Sequence, residues 1–210
     1  MFSLFKKKQP KQYQDIVWLS QSAKFKGIQG LCSNTSYLIV VSSFKKSLDE
    51  FEASLSPSHN FLRMNGLKDF SSGRHNYLVN SKLLIEPSFM QSPFKYLPAK
   101  DVKFVLLEHY PILTTDQMLI NKLVTNSQVG AGISVYLSFD DPLLKLFGSS
   151  RIVEVMQRLG LDENEPVEHS LITNSIEKAT KRVNSKVKYE IKTDSIDEWY
   201  RMNYAGTLER

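Results

Sequence analysis

The stretch YLSFDDPLLKLFGSSRIVEVMQRLGLDENEPVEHSLITNSIEKATKRV, Tyr136 to Val183, decides the fold. It opens as a strand, turns at Asp140-Asp141-Pro142, and then reads as helix for most of its length. Leu143, Leu144, Leu146 and Phe147 recur at helical spacing, as do Ile152, Val153, Val155, Met156 and Leu159. Gly148 and Gly160 punctuate the two helices, because glycine ends a helix by accepting positive φ. Asp141-Pro142 is an ordinary helix start. A buried strand leading into a helical extension follows from these residues alone.

Working upstream, Tyr37-Leu38-Ile39-Val40-Val41 is a compact β-branched run of the kind buried on both faces of a parallel sheet. Ser42-Ser43 can cap a helix carrying Phe44, Leu48, Phe51 and Leu55 on one side and charges on the other. Further strands are expected at Asn60–Met64, Tyr77–Val79, Val102–Leu107 and Ile133–Phe139. Pro87, Pro93 and Pro98 impose an irregular connection, and Thr114 or Thr115 can cap a helix through Asp116–Val124. Strands alternating with helices give a parallel, βαβ-type sheet. Residues 13–30, with Ile16, Val17 and Leu19 before a Lys/Gly-rich stretch, read as a short helix or lead-in.

At the other end, Val187, Tyr189 and Ile191 alternate with Lys188, Glu190 and Lys192. That two-residue period predicts an exposed-edge strand. Asp194 or Ser195 then caps a terminal helix with Ile196, Trp199, Tyr200 and Met202. The expected organisation is a basic arm and lead-in over 1–30, an α/β lobe over 31–148, and a helical extension with its tail over 149–210.

The chain's 41% hydrophobic and 23% charged residues argue against global disorder. A net charge of +5 tolerates an anionic partner without demanding one. No apolar run approaches the roughly 20 residues of a membrane span, and the N-terminal Phe2, Leu4 and Phe5 precede their lysines, the reverse of a secretory signal. The expectation is a cytoplasmic protein, with weak peripheral contact at the inner membrane face through the basic arm. Cys32 is the single cysteine, which excludes an intrachain disulfide and a cysteine-based metal site.

Tyr136-Leu137-Ser138, Asp141, Leu144, Phe147-Gly148, Arg151, Met156, Arg158-Leu159-Gly160, Glu165-Pro166, Glu168-His169, Ile176-Glu177, Ala179 and Val183 resemble the SecA preprotein translocase family. In that family the matching segment ends the second motor lobe and enters the long scaffold helix. The resemblance implies a RecA-like, P-loop NTPase-type parallel sheet flanked by helices, with a C-terminal helical extension. Val40-Val41-Ser42-Ser43, Glu108-His109 and Asp116 extend the likeness upstream with decreasing specificity.

The motor chemistry is a separate matter. No stretch satisfies the G-x-x-x-x-G-K-[ST] phosphate cradle, and 210 residues leave no room for the first lobe that would carry it. Where the family has a Gly/Arg/Asp-rich segment, this chain reads Val79-Asn80-Ser81-Lys82-Leu83-Leu84-Ile85-Glu86-Pro87. Where the family supplies arginines to the transferring phosphate, the helix after Asp116 holds only Lys122, a point charge without the bidentate fork and best read as solvated. The expectation is a degenerate lobe with no catalytic residue, no cofactor and no metal.

Other catalytic patterns are weaker still. His59, His75, His109 and His169 are scattered without metal-ligand spacing. Glu108-His109 and Glu168-His169 are adjacent pairs whose side chains diverge. Lys178, Lys181, Arg182, Lys186 and Lys188 cluster without interleaved aromatics, so a solvated helix face is favoured over nucleic-acid binding. The resemblance therefore implies a protein-binding accessory of secretion, its partner a full-length SecA-type motor or another secretion component. Arg151, Arg158, Glu168 and His169 are the candidate partner-binding residues. Two alternatives stay open: a lobe completing an ATPase in trans, with Lys122 engaged, and a helicase-lobe remnant on nucleic acid.

Overall fold

In the computed structural model, residues 13–70, 76–86, 102–126, 132–146, 153–154, 160, 162–167 and 170–204 are described. Six strands form one sheet: β1 (Gln14–Trp18), β2 (Tyr37–Ser42), β3 (Phe61–Met64), β4 (Asn76–Asn80), β5 (Val102–Leu106) and β6 (Gly132–Ser138). Their order is β1-β6-β5-β2-β4-β3, and every pairing is parallel. Helices α1 (Gln21–Gly30) and α2 (Lys45–Ala53) cover one face. The other face carries α3 (Ser81–Ile85), α4 (Leu113–Asn126), α5 (Pro142–Lys145), α6 (Ser170–Lys186) and α7 (Ile196–Asn203). This is the architecture expected of a RecA-like lobe with a helical extension.

The central strand shows why the run is continuously apolar. Leu38 and Val40 point into the α1/α2 layer, and Ile39 and Val41 point into the opposite one. All four are wholly buried, because a parallel strand between two helical layers has no wet face. α6 buries Ile172, Ile176, Ala179 and Val183, one stripe at helical spacing, against the same core. Gly160 adopts φ +71°, the left-handed conformation expected of it. Phe147, Gly148, Ile152, Val155, Met156 and Leu159 lie outside the described residues.

Four expectations are corrected. First, Gln14–Trp18 is a strand, not a lead-in, and it pairs with β6 at the sheet edge. Its outer side is met by Val167, whose N–H donates to the Val17 carbonyl at 2.7 Å, which covers an otherwise open edge. Second, Val187, Tyr189 and Ile191 form no strand: residues 187–195 are irregular, and Tyr189 stands 90% exposed. The burial in this region is supplied by Trp199 and Tyr200 of α7, which Ser195 caps. Third, Ser42 and Ser43 do not cap α2; Phe44 is its N-cap residue, and both serines turn inward. Fourth, α4 takes its first backbone bonds from the Ile112 carbonyl, leaving Thr114 and Thr115 inside the first turn. The Leu113 N–H is held instead by the side-chain oxygen of Asn184 on α6, at 3.2 Å.

One close approach fixes α1 on the sheet. A Cβ added at Gly27 would lie 2.1 Å from the Trp18 ring, so the indole reaches the helix backbone only because residue 27 has no side chain.

Candidate functional site

Parallel strands bring all their carboxyl ends to one edge, and α/β sheets bind ligands at that edge where neighbouring connections leave in opposite directions. Here β2 leads to α2 on one face and β5 leads to α4 on the other, so the crevice lies between Ser42-Ser43 and Glu108-His109. Chain neighbours at a strand end diverge, and Glu108 and His109 enter two separate networks.

Glu108 fills the crevice. Its Oε1 accepts from the Ser42 hydroxyl at 2.5 Å and from the Ser43 N–H at 3.1 Å. Burial raises its carboxyl to about 7, against the opposing pull of the Ser42 bond and the Lys24 charge. Lys24 is itself buried. Its ammonium contacts both Asp141 oxygens, at 2.8 and 3.1 Å, and donates to the Leu107 carbonyl at 3.2 Å. Asp141 also accepts from the Ser138 N–H and hydroxyl, while Asp140 accepts from the Gln21 N–H at the start of α1, where the helix dipole favours a carboxylate. The Asp140-Asp141 pair is thus a clasp joining the β6–α5 turn to α1.

His109 forms the second network. Its Nδ1 lies 2.8 Å from Asp116 and its Nε2 lies 3.0 Å from Asp15 on β1, all of it buried. Burial alone would push the imidazole down, but the Asp116 and Asp15 carboxylates outweigh it and hold the ring protonated up to about 10. Asp116 also accepts from the Tyr110 N–H at 2.8 Å. The network pins the edge strand to the β5–α4 turn. Among the described residues, no group of His, Cys, Asp and Glu is placed to hold a metal ion.

The chain's own tail roofs this edge. Tyr110 stacks on Phe44 with ring centroids 5.6 Å apart, and Trp199 of α7 meets Tyr110 edge-on at 6.5 Å. Glu190 accepts from the Tyr110 hydroxyl and from the Trp199 indole N–H, the latter at 2.8 Å. The Asp194 carbonyl accepts from the Lys46 N–H in the first turn of α2, at 2.9 Å, supplying the cap that Ser42 and Ser43 do not. What remains is a cleft of about 280 Å³. Five carboxylates line it (Glu50, Glu108, Asp140, Asp141 and Asp197), against the ammonium groups of Lys24 and Lys145.

Of the residues singled out in the sequence, Arg151, Arg158, Glu168 and His169 lie outside the described residues. Lys122 is half-buried rather than solvated, and donates to the Ile85 carbonyl at the end of α3, 2.6 Å away. The sequence shows Glu108, His109 and Asp116 close together, but not Asp15 as a partner of His109 or Lys24 as the partner of Asp141. Asp15 is 94 positions from His109 and Lys24 is 117 from Asp141. The one available signal was a lysine on the otherwise core-facing side of α1, between Ala23 and Phe25.

No protein-family model matches the chain. Among curated proteins it is similar to protein translocase subunit SecA of Thermus thermophilus, 47% identical over 55 residues, 26% of this chain and 6% of that protein. SecA of Carboxydothermus hydrogenoformans is 53% identical over 73 residues, 35% of this chain and 8% of that protein. SecA of Acidithiobacillus ferrooxidans is 51% identical over 51 residues, covering 24% and 6%. Among solved structures, the C-terminal part of the Fun30 ATPase domain aligns at a TM-score of 0.41 and 12% identity, over 77% of this chain and 54% of that one. The matched stretches span under a tenth of the length of these curated relatives. Among the described residues, no helix is long and apolar enough to cross a membrane. This chain, whose described residues form an all-parallel sheet flanked by helices, therefore carries a segment closely similar to protein translocase subunit SecA.

Proposed function

We propose that the chain is a non-catalytic SecA-like module that works by binding protein in preprotein translocation, on the cytoplasmic side, with a SecA-type motor or another secretion component as partner. One observation carries this reading: the crevice at the carboxyl edge of the sheet is filled by the chain's own Glu108 and roofed by its own tail. A polyphosphate would also meet a cleft richer in carboxylates than in ammonium groups. Lys122, the one cation of α4, is spent on the end of α3. These features support a lobe that keeps its fold without nucleotide chemistry.

The test mixes the purified chain with a full-length SecA-type motor and follows association and ATP hydrolysis together. Saturable association with no hydrolysis beyond the motor's own is the expected result. Hydrolysis stimulated by the chain and abolished by Lys122→Ala would replace this reading with a lobe acting in trans.

A further inference from the structure

The outward face of α6, and the side chains that the segment after it turns to solvent, have no role in the fold described above. Lys178, Lys181, Arg182 and Lys186 lie along one exposed stripe of the helix, and Lys188 and Lys192 are exposed in the segment that follows. Among the described residues none of the six is in an ion pair; Lys186 lies 5.1 Å from the Tyr204 ring centroid. Over residues 178–192 the only acid is Glu190, and it is turned inward to Tyr110 and Trp199. This stretch alone therefore has a charge excess as large as the whole chain's +5. Such concentration is more than a solvated face requires, and like charges along a helix face repel.

Exposed apolar side chains adjoin the stripe. Tyr189 is 90% exposed, Ile191 51% and Met202 49%; these are three of the four large exposed hydrophobics among the described residues. Asn203, next to Met202 on α7, holds Ile191 in place: its side chain accepts from the Ile191 N–H at 2.6 Å and donates to the Ile191 carbonyl at 2.9 Å. With Glu190 anchored beneath, the segment is held in one shape while its apolar side chains face water. A preorganised surface of this kind loses little entropy on binding.

We propose that this surface docks an acidic segment of a partner protein that bears apolar side chains, carboxylates meeting the stripe and apolar groups meeting Tyr189, Ile191 and Met202. Charge complementarity selects the carboxylates, and the exposed apolar cluster selects protein. A nucleic-acid strand would need stacking rings, and Tyr189 is the one aromatic side chain displayed there. A membrane surface would gain little from three apolar side chains. The proposal rests on the protein-binding reading above but not on a SecA-type partner, so each can fail while the other stands.

The experiment is fluorescence anisotropy of the full chain with four probes of similar size or charge. These are a labelled Glu-rich peptide with Leu anchors, its Leu→Ser counterpart, oligo-dT of equal length, and phosphatidylglycerol-containing vesicles. The Glu/Leu peptide is expected to bind about tenfold more tightly than the other three. Combined Lys181→Ala, Arg182→Ala and Lys188→Ala should weaken it about tenfold, as should Tyr189→Ser with Ile191→Ser, while circular dichroism shows both variants folded. Oligo-dT or vesicles binding as tightly as the peptide would overturn the proposal. So would unchanged peptide affinity in either folded variant.

Discussion

Replacing Lys24 by Met tests the clasp that holds α1 to the carboxyl edge. The Lys24 and Asp141 side chains are 5% and 12% exposed, and their shortest contact is 2.8 Å. Met matches the lysine stem in length, so the loss is the charge and its three hydrogen-bonding contacts to Asp141 and Leu107. Removing one partner of a buried pair leaves the other charge uncompensated, a cost of roughly 3–5 kcal/mol. Ser138 still donates twice to Asp141, which places the expectation at the lower end, ~3 kcal/mol. For a chain of this size that is a fall in Tm of roughly 6–12 °C. Urea denaturation followed by tryptophan fluorescence measures it. Adding Asp141→Asn removes the stranded charge while keeping a side-chain acceptor for Ser138, so the double variant should recover more than ~1 kcal/mol. A single variant within about 0.5 kcal/mol of the parent, or a double variant no better than the single, would refute the clasp.

Three further outcomes are expected. Stability should fall as pH rises. Glu108 is raised from its unfolded value of 4.5 to about 7, so its contribution is complete below 4.5 and lost as pH rises through 7. His109, raised from 6.5 to about 10, contributes fully below 6.5 and loses its share through 10. Glu108→Gln should flatten the lower window in urea titrations across pH, and an unchanged slope there would count against the buried carboxyl. Gly27→Ala should cost about 1–3 kcal/mol, because the Trp18 ring must move to admit a methyl group; an unshifted unfolding midpoint would contradict that packing. Trp199→Ala, at a wholly buried indole, should cost about 3 kcal/mol or more and open residues 187–204 to protease well before the sheet. Simultaneous cleavage of tail and sheet would show that the roof is not a separable unit.

The sheet was legible where burial itself writes the signal. Leu38–Val41 and Val135–Leu137 are apolar without a break because both their faces are covered. β1 was not legible: it begins Gln14-Asp15, and its strand geometry comes from β6 in the register Ile16 to Tyr136, a tertiary fact. The alternation from Val187 to Lys192 misled for the converse reason. A two-residue period marks a strand only where a neighbour accepts one face, and here Glu190 and Ile191 are held by the side chains of Tyr110, Trp199 and Asn203 instead of a strand. In the site, Glu108 and His109 were visible as a pair, but not that they serve opposite networks. Lys24 stands in a Lys/Gly-rich stretch, and only the fold, by placing α1 beside the β6–α5 turn, makes it a buried cation.

We propose that this SecA-like chain binds protein and not nucleotide. Isothermal titration of Mg·ATP into the chain, alone and in the presence of a full-length SecA-type motor, tests it most directly. The expected result is no saturable nucleotide heat from the chain alone, and a saturable heat when the motor itself is titrated in. Micromolar binding of ATP to the chain alone, suppressed by excess ADP, would contradict it.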